Sequence, residues 1–402
     1  MRQIFLSIKH IWKLVVLLFL IVVTFSYAMF QGGFVSWFLF YSFVPFALYA
    51  LFLAAYSVRK FQIRREFFRL EYSAGETLKV KVHLTRANSF PLFYLVVEDL
   101  LSEQLRKNAK KAKMLLFPGF RKHFTFEYEI LQLPRGEHLF QTVALKLGDP
   151  LGLIDRQVEF EISDRMIVYP QMEELSYRPY ANQFDQGMTA SKERVQRDTT
   201  MAIGLREYQP GDKFSWINWK ASAKRNDIMT KEFEQRQSHD ICILMDCEPN
   251  PAFETIVSFT ASLVKGILRK GAQVGLLTMS KERHFHPVRS GEDHQQGIFY
   301  HLARITEESP ISFDRVLEGE SFLGNQTVSF MLVTSQLTKS LIEKASFFSI
   351  KKGAVTIFLV KNQGESLNPL EISLKSSANA RGVRVVLVHE GHFSDVFSEV
   401  SR

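Results

Sequence analysis

Between Leu14 and Val58 the chain carries no Asp, Glu, Lys, Arg or His. A bilayer core takes about 20 apolar residues per helix, so this run is long enough for two passes. Gln31-Gly32-Gly33 interrupts it, and glycine supplies the turn conformations that a hairpin needs. The expectation is a two-helix transmembrane hairpin, with helices over residues 12–31 and 34–56. Pro45 falls inside the second helix, where a neighbouring helix can re-satisfy the carbonyl it frees. Trp12, Tyr27, Trp37 and Tyr56 stand near the helix ends, where amphipathic rings favour the headgroup region. Arg2, Lys9 and Lys13 flank the start of the first helix; Arg59, Lys60, Arg64 and Arg65 follow the second; the turn is uncharged. The positive-inside rule then gives a multi-pass cell-membrane protein with both termini cytoplasmic. A cleaved signal peptide is the rival reading of the first segment. Against it stand the lack of a small-residue cleavage site before Gly32 and the second apolar run.

Beyond this hairpin with its basic flanks, residues 1–66, the pattern changes. Leu78-Lys79-Val80-Lys81-Val82-His83-Leu84 and Phe124-Thr125-Phe126-Glu127-Tyr128-Glu129-Ile130 alternate apolar and polar residues, as half-buried strands do. With further strands at Tyr94–Glu98, Leu139–Leu147 and Arg156–Ile162, and turn residues between them, residues 67–170 read as a small antiparallel β-sandwich or barrel. Arg106, Lys107, Lys110, Lys111 and Lys113 cluster here without an acid. Three readings are open: a solvated loop between strands, contact with the anionic inner leaflet, or nucleic acid. The formal net charge of +8 suits the second and third. No stacking platform or binding motif supports nucleic acid, and none is expected as a partner.

From Asp240 to the C-terminus, continuous apolar runs alternate with amphipathic helical stretches. Ile241–Met245, Val274–Met279, Val328–Val333, Val355–Val360 and Val383–Val388 read as strands covered on both faces. Residues 240–402 are therefore expected to form a Rossmann-type, doubly wound α/β domain with mainly parallel strands. Ligands of such folds bind beyond the carboxyl ends of the strands, which singles out Asp246 and Thr334. Phosphate-binding loops, dinucleotide fingerprints, nucleophile elbows and His-Glu-x-x-His pairs are missing from the sequence. No catalytic constellation emerges and no cofactor is implied. Cys242 and Cys247 form neither a disulfide framework nor a zinc motif.

Residues 171–239 read as a linker that carries the most distinctive stretch: Gly204-Leu205-Arg206-Glu207-Tyr208-Gln209-Pro210-Gly211-Asp212, then Ile217-Asn218-Trp219-Lys220-Ala221-Ser222-Ala223-Lys224. One reading is structural: Arg206, Glu207 and Asp212 pair with Lys220 or Lys224, and Trp219 plugs a core. Another is a recognition surface, since Arg and Trp are frequent anchors of protein interfaces. A catalytic site finds little support, because nothing here pairs a nucleophile with a base.

This stretch resembles the signature of the bacterial family known as domain of unknown function 58, G-x-R-x-Y-x-x-G-D followed by I-D-W-K-x-S-A-R. The matching residues are Gly204, Arg206, Tyr208, Gly211, Asp212, Ile217, Trp219, Lys220, Ser222 and Ala223. Asn218 stands where the family has aspartate, Ser215 where arginine is usual, and Lys224 replaces the final arginine. Arg135-Gly136, Gly148-Asp149-Pro150-Leu151-Gly152-Leu153 and Val168-Tyr169-Pro170 resemble further family segments. The resemblance implies a membrane hairpin, a β segment and a von Willebrand A-like domain. It also implies an adaptor or assembly role beside a MoxR-type AAA+ ATPase and a transglutaminase-like membrane protein, without enzymatic activity. A metal-binding von Willebrand A domain carries D-x-S-x-S after its first strand. Here that stretch is Asp246-Cys247-Glu248-Pro249-Asn250, and the later partner is Thr334-Ser335-Gln336. Asp246, Glu248, Asn250 and Thr334 are thus expected to form a degenerate site without a functional metal. Two other classes remain beside the adaptor: an unrecognised membrane-surface enzyme and a basic lipid-organising protein.

Overall fold

The computed structural model describes residues 2–69, 71–178, 197–209, 214–225, 227–235, 240–319, 328–352 and 354–397. The chain divides into two compact units, Met1–Tyr169 and Pro170–Arg402.

The first unit opens with α1 (Arg2–Gln31) and α2 (Phe34–Ala55). Trp12–Gln31 and Phe34–Ala55 are each long and apolar enough to cross a membrane. Gly32 sits at φ +58° between them, as the sequence break requires. Small residues let the two helices approach: Ala28, Ser36, Ala47 and Ala50 are buried, while most large side chains face outward. The sandwich follows as two sheets. One is ordered β1 (Phe61–Phe67), β3 (Leu78–Arg86), β7 (His123–Ile130), β5 (Ala109–Lys110). The other is ordered β2 (Glu71–Ser73), β9 (Asp155–Tyr169), β8 (Gly136–Gly148), β4 (Tyr94–Leu100), β6 (Lys113–Leu116). The alternation in β3 translates directly into burial: Leu78, Val80, Val82 and Leu84 face the core.

The sandwich starts earlier than the sequence suggests, inside the expected 1–66 hairpin segment. Arg64 and Arg65 belong to β1 and are not flanks of α2. Arg65 is buried because partners meet it from three strands. Its Nε and Nη2 donate to Asp99 of β4 at 2.8 Å each, and Nη1 donates to Asp164 at 3.0 Å and the Ile162 carbonyl at 2.6 Å in β9 and to the Phe140 carbonyl of β8 at 3.2 Å. The Tyr128 hydroxyl donates to Asp99 at 2.8 Å, and burial beside that carboxylate pushes its pKa far up.

The second unit contains a strap, a hairpin and the α/β sheet. Residues 171–178, expected as linker, lie along α5 (Phe253–Arg269). Glu173 N–H donates to Ser262, Ser258 donates to the Gln171 carbonyl, and a Cβ at Gly266 would meet the Leu175 carbonyl oxygen at 2.8 Å. The signature stretch is a two-stranded sheet of β10 (Arg197–Glu207) and β11 (Met229–Gln235), with α4 (Trp219–Arg225) between them. Six strands make the main sheet: β14 (Arg283–Arg289), β13 (Val274–Met279), β12 (Ile241–Met245), β15 (Ser329–Thr334), β16 (Val355–Lys361) and β17 (Arg384–His389), in that spatial order. All neighbours are parallel except β13 and β14. The expected doubly wound core is present, and β14 adds an antiparallel edge that the sequence reading lacked. Its Arg-His-Phe-His-Pro-Val-Arg is too polar to read as a buried strand, and Pro287 is tolerated at an edge. α6 (Glu292–Arg304), α7 (Phe313–Gly319), α8 (Lys339–Lys352) and α9 (Pro369–Ala380) complete the unit.

Candidate functional site

The α/β sheet changes winding direction between β12 and β15, which are hydrogen-bonded neighbours. Their carboxyl ends bring Asp246 and Thr334 together: the Thr334 hydroxyl donates to Asp246 Oδ2 at 2.7 Å. Asp246 Oδ1 accepts from the Glu248 N–H at 2.9 Å. Burial raises the Asp246 pKa to about 6, against the hydrogen bonds from Glu248 and Thr334 that favour the anion. Asn250 turns inward, where its Oδ1 accepts from the Ala252 N–H at 2.7 Å and its Nδ2 meets Ser335 Oγ. Glu248 departs from the expected set. Its carboxylate accepts the Phe313 N–H at the start of α7, and Ser335 stands beside Asn250 instead. The oxygens at the expected ligand positions are already engaged: Asp246 with Thr334, Asn250 with Ser335, and the Glu248 carboxylate with the Phe313 N–H. Among the described residues no cluster of three His, Cys, Asp or Glu could hold a metal ion.

The signature hairpin is built differently. β10 and β11 pair Arg206 with Thr230 and Glu207 with Met229, and an isolated bridge joins Ile217 to Thr230. Ile217, Met229 and Thr230 are buried and form the inner seam. Asn218 begins α4 as its cap, its Oδ1 accepting from the Ala221 N–H at 3.2 Å. Ser222 latches that helix to β11: its Oγ donates to the Asn218 carbonyl and accepts from the Met229 N–H, both at 2.9 Å. The sequence reading placed both residues in the signature but gave neither a role, although an Asn before Trp-Lys-Ala-Ser-Ala-Lys-Arg is a helix-start signal. The family aspartate replaced by Asn218 loses nothing here, because a cap needs only the side-chain oxygen.

The outer face carries the distinctive side chains. Trp219 is 68% exposed and Phe214 77%, with Leu205 and Ile228 also exposed. Trp219 is therefore no plug. The Tyr208 ring stacks with Phe214 at 6.4 Å between centroids. Arg206 donates to the Glu207 carbonyl at 3.1 Å. Lys220 and Lys224 are exposed, and among the described residues Glu207 forms no ion pair with either. Gly211 and Asp212 lie outside the described residues.

The basic cluster is not a loop between strands. Lys107 lies in α3 (Glu103–Asn108), Lys110 in β5, Lys111 at a left-handed turn with φ 63°, and Lys113 in β6 paired with Glu98 at 2.9 Å. The segment carries the chain from one sheet of the sandwich to the other. β5 pairs with the Ile130 end of β7, about 20 Å along that strand from His123.

The model of the family described as "Protein of unknown function DUF58" matches residues 204–389, spanning the signature and most of the α/β sheet. The chain is also 39% identical over 391 residues to the uncharacterized protein YeaD of Bacillus subtilis (strain 168), covering 96% of this chain and 97% of that one. It belongs to the DUF58 family. Among solved structures, this DUF58 protein is similar to the SpRpn10 VWA domain, with 12% identity and a TM-score of 0.29 over 40% of this chain and 93% of that one. It is also similar to proximal thread matrix protein 1 from the mussel byssus, with 17% identity and a TM-score of 0.27 over 40% of this chain and 45% of that one.

Proposed function

We propose that this DUF58 protein is a membrane-anchored, cytoplasm-facing adaptor whose von Willebrand A-like unit docks a protein partner through the signature hairpin, without catalysis. The carrying observation is the division of labour within the signature. Ile217, Asn218, Ser222 and Met229 hold the hairpin together, which leaves Trp219, Phe214 and Lys220 exposed on a braced frame. An exposed aromatic beside long cations has the composition of an interface anchor. The strand-end cluster supports the non-catalytic reading, since its hydroxyls and carboxylate satisfy one another. The proposed partner is a MoxR-type AAA+ ATPase, with a transglutaminase-like membrane protein as a second neighbour. α1 and α2 form the proposed anchor, and Arg59 and Lys60, exposed after α2, support a cytoplasmic orientation.

Trp219→Ala and Lys220→Ala, tested in the purified full chain against the ATPase, are expected to leave thermal unfolding nearly unchanged. Affinity is expected to fall by about 2 kcal/mol, roughly thirtyfold. Variants that unfold, or that bind as tightly as the parent, refute the docking role. Co-purification of lipid alone would favour the lipid-organising alternative.

A further inference from the structure

Two loops at one end of the β-sandwich, residues 87–93 and 117–122, are bridged through Leu92 and Gly119, and the first of them meets α2 well before that helix ends. The Tyr49 hydroxyl donates to the Pro91 carbonyl at 3.0 Å and accepts from the Phe93 N–H at 3.3 Å. Its ring stacks on Phe90 at 5.7 Å and meets Phe93 edge-on at 5.6 Å. We propose that this end of the sandwich is itself embedded in the lipid bilayer, with Phe93, Phe117 and Phe120 seated among the acyl chains beside α2. The inference rests on the reading that α1 and α2 span the membrane.

Depth follows from helix length. At 1.5 Å per residue, Tyr49 lies about 10 Å inside the Tyr56 end of α2. If the hydrocarbon stopped at Tyr49, the remaining Phe34–Leu48 would span only about 22 Å of a core about 30 Å thick. The polar boundary falls at the end of α2 instead. There Arg156 donates to the Ala54 and Tyr56 carbonyls, each at 2.7 Å, and Lys13 of α1 pairs with the adjoining Asp155. On the apolar side of that boundary, Leu153 and Ile154 pack against Leu17, Ala47 and Ala50 of the helices.

The surface chemistry agrees. Leu92 and Gly119 exchange two backbone hydrogen bonds of 3.0 Å, which joins the loops into one tip. On it Phe93, Phe117 and Phe120 are 55%, 73% and 71% exposed, an apolar patch that water disfavours. Exposed Arg121 and Lys122 follow at once, where anionic headgroups would sit.

Non-helical backbone at membrane depth must satisfy its own polar groups. Here buried Arg86 does that work, donating to the Phe90, Gly119 and Arg121 carbonyls at 2.6–2.7 Å. Tyr49 serves the Pro91 carbonyl and the Phe93 N–H. The expected lipid contact thus moves from the basic segment, at the far end of β7, to this aromatic tip.

The test uses the full chain in lipid vesicles, whose native Cys242 and Cys247 are buried. Single cysteines labelled with bimane replace Phe117, Phe120, Leu48 as a lipid-facing control at Tyr49 depth, and Glu127 as an aqueous control. Nitroxide lipids bearing the label near the headgroup end of the acyl chain are the quencher. Phe117→Cys and Phe120→Cys should lose as much emission as Leu48→Cys, while Glu127→Cys keeps its own. Quenching of Leu48→Cys without quenching at the tip overturns the inference and leaves the spanning helices standing. No quenching at Leu48→Cys either removes the spanning reading, and the embedded tip with it.

Discussion

Replacing Arg65 by methionine tests whether the sandwich closes over a buried ion cluster. The side chains of Arg65 and Asp99 are both 0% exposed, and the guanidinium meets Asp99 through two parallel hydrogen bonds. Methionine fills a similar volume but leaves Asp99 with the Tyr128 hydroxyl alone, and deprives the Ile162 and Phe140 carbonyls of their donor. Removing one partner of a buried pair costs about 3–5 kcal/mol, a large share of a domain's total of about 5–15 kcal/mol. For a unit of this size the melting midpoint should fall by more than about 10 °C. Arg65→Lys keeps the charge and loses the forked geometry, so its loss should be intermediate. The double variant Arg65→Met, Asp99→Leu removes both charges and should recover part of the loss, which separates an ion-pair effect from poor packing. Because the chain has two units, the readout is protease cleavage within Phe61–Tyr169 against temperature, mapped by mass spectrometry in detergent. An Arg65→Met protein that resists cleavage like the parent refutes the cluster and returns Arg65 to the set of flanking charges.

Other sites give sharper local outcomes. Ser222→Ala removes the acceptor of the buried Met229 N–H, worth about 1–3 kcal/mol; amide exchange at Met229 should accelerate while Trp219→Ala leaves it unchanged. Asp246 has a folded-state pKa of about 6, above an unfolded value of about 4, so its contribution to stability falls as pH rises between those values and is flat beyond. Asp246→Asn, whose amide can donate to Thr334, should therefore raise the neutral-pH melting temperature by removing a penalty of about 3 kcal/mol. Millimolar Mg²⁺ should leave the parent's midpoint unmoved; an upward shift that Asp246→Asn abolishes would show a working cation site. Burial and neighbouring His286 and His284 depress the His301 pKa to about 4, so stability from this group is complete above about 6.5 and is lost as pH falls toward 4. His301→Gln should flatten the acid limb of the stability profile measured by thermal melts between those pH values.

What the sequence alone determined follows from its periodicities. An uncharged apolar run has few places to go but a membrane or a core. The twofold alternation at Leu78–Leu84 gave β3 its inward face, and the unbroken apolar runs gave the strands of the doubly wound sheet. Those strands are covered on both sides, so every side chain in them reports burial. Asp246 and Thr334 were legible for the same reason, as the first polar residues at the carboxyl ends of such strands. Tertiary structure decided whatever depends on partners distant in the chain. Arg65 reads as a flank charge until Asp99 and Asp164 surround it, 34 and 99 residues later. Trp219 reads equally as plug or anchor, because its exposure depends on Ser222 holding α4 against β11. Glu248 keeps metal-ligand spacing yet reaches for the Phe313 N–H, 65 residues away. The aromatic tip has no signature in sequence: phenylalanines at 93, 117 and 120 become one surface only when Leu92 pairs with Gly119 beside Tyr49. Local periodicity fixes which face a residue occupies, whereas the identity of its neighbours, and hence its charge state and exposure, is set by contacts across the fold.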